Sequence, residues 1–108
     1  MDESNHQLEQ ATVLLLACAR GDAKAFQRLY RLEAPRMLAL ARRLSGDPEL
    51  AEEALQDTFV QVWRNAVRFH PEKGSARAWL YALLRYRLIN QHRRAKRDDA
   101  QALPGDDW

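Results

Sequence analysis

The chain has 108 residues, which suits one domain with a modest core. Hydrophobic residues make up 46% and charged residues 30%, as in an ordinary soluble globular protein, and the formal net charge is only +2. The longest apolar run, ATVLLLACA, is too short to span a bilayer, the polar opening MDESNHQLEQ is no signal peptide, and a lone cysteine rules out an intrachain disulfide. A cytoplasmic protein is expected.

Four helical segments follow in order. Residues 8 to about 20 form the first, with LLLACAR supplying apolar groups and Gly21 stopping it. Cys18 sits among Leu14, Leu15 and Ala17, so a buried and inert thiol is expected. Asp22 is placed to cap the second helix. Phe26, Leu29, Tyr30, Met37, Leu40 and Leu44 recur there at helical spacing, so one stripe faces a core. Pro35 interrupts the pattern and is expected to kink or divide the helix, and Gly46 ends it.

Asp47 and Pro48 open the third helix, a capping acid followed by a proline whose missing N–H costs nothing in a first turn. Leu55, Phe59, Val62 and Ala66 form its apolar seam, on which Trp63 is also expected to be core. Pro71 and Gly74 make FHPEKGS a loop, and Ser75 can cap a fourth helix running to about Arg97. No strand pattern or repeat is visible. The fold class is all-α: a compact bundle of about four helices with a basic C-terminal helix. The expected division is a flexible N-terminus at 1–11, a helical domain at 12–97 and linker composition at 98–108.

Charge is sorted along the chain. Asp47, Glu49, Glu52, Glu53 and Asp57 have no base among them, and Arg85, Arg87, Arg93, Arg94, Lys96 and Arg97 have no acid among them. Such sorting suits two faces for two oppositely charged partners. The plain alternative is two solvated faces attracting each other within one molecule.

Catalysis fits poorly, because there is no Gly-rich phosphate loop, nucleophile elbow or paired-Cys site. His6, His70 and His92 are too scattered to make a metal site, and no cofactor is expected. Nucleic-acid binding fits better. Cations attract phosphates, and Asn90 and Gln91 carry amides able to read base edges. Phe69, Trp79, Tyr81 and Tyr86 add flat surfaces, of which Trp79 and Tyr81 have core as their bland reading. Aromatic and cationic groups together are what unpaired strands require. A membrane-surface helix is disfavoured, because the cations crowd one end rather than one face.

The combined pattern resembles region 2 of the bacterial extracytoplasmic-function (ECF) sigma factors, the promoter-specificity subunits of RNA polymerase. The resemblance covers about residues 12–97 and rests on ARGDAKAFQRLYR (19–31), GDPELAEEALQDTFVQVWRN (46–65), FHPEKGSARAWLYALLR (69–85) and INQHRR (89–94). It implies a non-enzymatic domain that binds core RNA polymerase and melts the promoter −10 element. Glu53, Gln56, Asp57, Gln61 and Arg64, with Trp63, match the surface that docks on the β′ clamp helices. The loop from Phe69 to Ser75, including His70 and Lys73, matches the segment that captures a non-template-strand base. Arg77, Arg85, Arg87, Asn90, Arg93 and Arg94 match the DNA path, and Tyr86 and Arg97 of the same basic stretch are expected to bind DNA beside them.

Two departures stand out. The family often has Asn where this chain has Tyr86, and often Asp near Asn90, so its −10 preference does not transfer. Nothing after Arg97 resembles region 4, and 98–108 looks like the start of an interdomain linker. An anti-sigma factor is an expected partner, with neither a membrane nor a small-molecule substrate implied. The rival readings are an interaction bundle sequestered by an anti-sigma factor and a sequence-blind basic DNA binder.

Overall fold

The computed structural model describes the backbone of residues 2–106 and the side chains of residues 5–98. Four helices, α1 (Asp2–Ala19), α2 (Ala23–Ser45), α3 (Pro48–Asn65) and α4 (Ala76–Asp106), pack around one core, with short 3-10 turns at Ala66–Arg68 and Pro71–Lys73. No strand occurs among the described residues. The bundle is the all-α architecture that the hydrophobic periodicity predicts.

Each junction has a local cause. The Asp22 carboxylate accepts a hydrogen bond from the Ala25 N–H at 3.1 Å, satisfying a donor that the first turn of α2 leaves free. Gly46 closes α2 with φ 70°, a left-handed conformation that a side chain would oppose, and its N–H donates to the Arg42 carbonyl. Asp47 then caps α3, accepting from Glu49 N at 2.9 Å and Leu50 N at 3.4 Å.

Three expectations about the helices need correction. Pro35 does not divide α2, and the helix runs through from Ala23 to Ser45. Pro35 and Arg31, whose carbonyl it leaves without a helical donor, are both exposed, so the missing bond is not a buried one. Helix α1 starts at Asp2 rather than near residue 8, and Ala11, assigned to a flexible lead-in, is fully buried. Residues 2–10 contain no glycine or proline to break a helix. At the other end α4 continues past Arg97 to Asp106 over sequence that reads as linker. Nothing between Ala76 and Leu103 breaks a helix.

The core is built from Leu15 of α1, Leu29 and Met37 of α2, Leu55, Phe59 and Val62 of α3, and Leu80 and Leu84 of α4, all buried. Each such side chain stabilises the fold by about 1.5–3 kcal/mol. The α3 seam is buried as its spacing predicts. Leu44 is not: it lies at the last turn of α2, beyond the packing, and is 57% exposed. Cys18 is buried, and burial, with Asp22 adding to it, pushes its thiol pKa up to about 11.

Candidate functional site

Helix α4 is amphipathic only in its first half. Ala76, Leu80, Leu84 and Leu88 fall every four residues and are buried, and Gln91 continues the row. From His92 to Asp98 every side chain is exposed. Gln91 marks the end of the packed half, because its Nε2 donates to the Leu50 carbonyl of α3 at 3.1 Å. It therefore faces inward, and the base-reading role suggested by its amide is corrected to an anchoring one. The exposed row carries Arg93, Arg94, Lys96 and Arg97, and these line a shallow concavity with Arg87 and Asn90. Tyr86 is 65% exposed beside them. Arg87 is half-buried, with its Nε enclosed and unpartnered within the protein.

The acids of α3 are not the partners of these cations. Among the described residues one ion pair occurs, Glu33 with Arg77, and none joins 47–57 to 85–97. The two segments touch through Gln91 and Leu50, yet their opposite charges form no ion pair, which leaves both sets free for other partners.

The loop between α3 and α4 forms a second feature. A concavity of about 310 Å³ is lined by Phe69, His70, Lys73, Ser75 and Trp79. His70 and Lys73 are exposed there. Phe69 is only 5% exposed, with its ring edge-on to half-buried Trp79 at 5.8 Å, so it forms the floor of the concavity rather than its rim. The Ser75 hydroxyl accepts from Ala78 N at 3.0 Å and caps α4.

Arg77 departs from its assignment to the DNA path. It turns away from the basic end and donates from Nε and Nη2 to the two oxygens of Glu33, at 2.9 and 2.8 Å. That hydrogen bonding, ahead of the cost of burial, holds its guanidinium even more firmly protonated than usual. Tyr81, one turn further along α4, is half-buried, and burial followed by the Glu33 charge pushes its phenol above the ordinary range. Its hydroxyl has no partner within the protein.

A third feature lies between α2 and α3. Phe26, Tyr30, Phe59, Val60 and Trp63 line an apolar groove of about 640 Å³, rimmed by Gln56 and Arg64. Trp63 is 41% exposed rather than core, because it falls one position past the buried Val62. Its ring meets Phe26 edge-on at 5.3 Å, and Tyr30 meets Phe59 at 4.8 Å. Gln56 donates to the Tyr30 hydroxyl at 3.3 Å across the groove. Of the residues expected to bind polymerase, Gln56 and Arg64 line it, while Glu53 is exposed and Asp57 half-buried on α3. Gln61 stands at the edge of that face, where it accepts from Asn65 through its carbonyl and side-chain oxygens. Sequence reasoning missed Phe26, Tyr30 and Val60 as site residues. Phe26 and Tyr30 share the helical spacing of core positions, which gave no sign that α3 leaves them half-covered.

No helix among the described residues is long and apolar enough to cross a membrane, and no group of His, Cys, Asp and Glu among them is placed to hold a metal.

Residues 29–98 match the family model for sigma-70 region 2. Curated relatives agree. The chain is 40% identical over 80 residues to an ECF RNA polymerase sigma factor, SigK, of Mycolicibacterium vanbaalenii, covering 74% of this chain and 41% of that protein. It is 38% identical over 81 residues to SigK of Mycobacterium sp. strain KMS, covering 75% and 42%. It is 36% identical over 80 residues to SigK of Mycobacterium tuberculosis strain CDC 1551, covering 74% and 43%. The chain thus spans about two fifths of the length of these relatives. The family match, the four-helix bundle and the order of the motifs agree, and the chain belongs to the sigma-70 region 2 family, with ECF sigma factors as its relatives.

Proposed function

We propose that this domain docks on the β′ clamp helices of core RNA polymerase through α3 and the α2–α3 groove, and opens the promoter −10 element with its loop and the basic half of α4. The observation that carries the reading is the separation of charge: the cations of 85–97 have no acidic partner among the described residues. Phosphates satisfy such cations and release counterions in doing so.

In this reading Arg85, Arg87, Arg93, Arg94 and Arg97 hold the backbone of the non-template strand. Asn90 and the exposed Tyr86 face its bases, and His70 and Lys73 stand at the mouth of the loop concavity. Extruding a base costs a few kcal/mol, which stacking at about 1–3 kcal/mol per base and edge hydrogen bonds offset. No covalent bond changes, so the domain acts as an initiation factor and not as an enzyme. Glu53, Gln56, Asp57 and Arg64 form the polymerase-facing surface, with Gln61 at its margin. An anti-sigma factor would silence the domain by covering either surface, and the site of action is the cytoplasm, where polymerase works.

The test has two arms. Core polymerase should be retained by the immobilised domain and lost with Asp57→Arg. With polymerase present, the domain should shift a −10 non-template oligonucleotide in preference to a scrambled one at moderate salt. Equal binding to both, insensitive to changes in 69–75, would leave only a sequence-blind DNA binder.

A further inference from the structure

Glu33 is fully buried, and its partner Arg77 is 14% exposed. Taking a carboxylate and a guanidinium out of water is costly, and apolar residues of the same volume often serve stability as well or better. Stability alone is therefore a poor account of this pair. Its geometry is more telling. Two parallel bonds, at 2.9 and 2.8 Å, fix both the distance and the orientation of the Arg77 fork against α2.

Arg77 lies in the first turn of α4, immediately after the loop. Two residues before it, Ser75 ends the loop and caps the helix by accepting from Ala78 N. Two residues after it, Trp79 packs on Phe69 at the start of the loop. Both ends of the loop are thus fastened to the one helical turn that Arg77 fastens to Glu33. Apolar packing alone would let that turn slide or rotate slightly, whereas a bidentate pair would not.

We propose that Arg77 is a positioning residue: its pair with buried Glu33 sets the stance of the loop 69–75 relative to α2, and so the shape of the concavity above Phe69. The claim rests on the DNA reading above for its consequence in binding, but not for its structural content.

The test replaces the pair by apolar residues in the whole chain, Glu33→Leu with Arg77→Met, and compares stability, amide exchange and DNA discrimination. The double variant is expected to melt near the unsubstituted chain while amides of 70–79 exchange at least about tenfold faster. Its preference for a −10 oligonucleotide over a scrambled one, measured with core polymerase, should fall about tenfold. Tyr81→Phe is the control and should leave exchange in 70–79 and sequence discrimination unchanged, since the hydroxyl makes no bond within the protein. If the double variant does not fold, Arg77→Lys makes the same comparison by keeping the charge and losing the fork. Unchanged exchange in 70–79 in whichever variant folds overturns the proposal. Absence of any sequence preference in the unsubstituted chain overturns the DNA reading instead, and exchange still decides the positioning role.

Discussion

Gln91 donates its amide hydrogen to the carbonyl of Leu50, joining the last packed turn of α4 to the first turn of α3. The bond sits where the buried row of α4 ends and the exposed cationic row begins. Gln91→Leu keeps the side chain's bulk but removes the bond, and is expected to lower stability by about 1 kcal/mol. For a domain of this size that is a drop in Tm of about 4–8 °C. Thermal denaturation checks it. A Tm within a degree of the unsubstituted chain would mean that apolar packing, not this bond, ends the docked half of α4.

Asp47 is expected to matter to α3 through its shape before its charge. Its carboxylate accepts from two backbone N–H groups at the start of the helix. Asp47→Ala should destabilise by about 1 kcal/mol, whereas Asp47→Asn, which can still accept, should cost only a few tenths. Urea denaturation of the two variants separates the effects. Equal losses would show that the helix dipole's preference for negative charge outweighs the cap.

Much of the fold was legible because its signals are local. Asp22, Gly46, Asp47 and Ser75 work at the positions that their side chains, or the lack of one, suit, and the Leu55–Phe59–Val62 seam is buried as its period requires. What sequence could not show depends on packing between distant segments. Glu33 and Arg77 are 44 positions apart, so their pairing left Arg77 looking like one more DNA-facing cation. The exposed Trp63 and the half-covered Phe26 and Tyr30 look like core by period, because period finds an apolar face without showing whether a neighbour reaches its edge. Gln91 likewise reads as a free amide until Leu50 is brought beside it. The charge sorting of 47–57 and 85–97 was visible in one dimension, but whether the opposite charges paired needed the third.

Cys18 gives a pH signature with a definite sign. Its thiol is held near pKa 11 in the folded state against an ordinary value of 9.0, so between these values the unfolded chain loses a proton that the folded chain keeps. Stability therefore falls as pH rises from about 9 to about 11, by at most about 1.4 kcal/mol per pH unit. Below pH 9 the thiol is neutral in both states and contributes no slope. Cys18→Ala should be less stable at neutral pH, because it empties part of a packed site, yet lose less stability than the unsubstituted chain between pH 9 and 11. Chemical denaturation across that range reads the difference. Parallel curves for the two proteins would place the thiol in a more solvated setting.

Arg93 and Arg94 test whether the exposed end of α4 meets phosphate. Each is exposed and without an acidic partner among the described residues, so each should release counterions on binding. On a single-stranded −10 oligonucleotide with polymerase present, each change to Ala should reduce the slope of log K against log salt by about 0.7, or by about 0.9 on duplex DNA. Affinity should fall for matched and scrambled sequences alike, because a phosphate contact carries no sequence information. Arg94→Lys keeps the charge and should leave the slope where it was, while a contact that depends on the guanidinium fork would still lose affinity. Slopes that stay constant through Arg93→Ala and Arg94→Ala would place these cations off the DNA path, and the basic half of α4 would then need a different polyanion to explain its lack of acids.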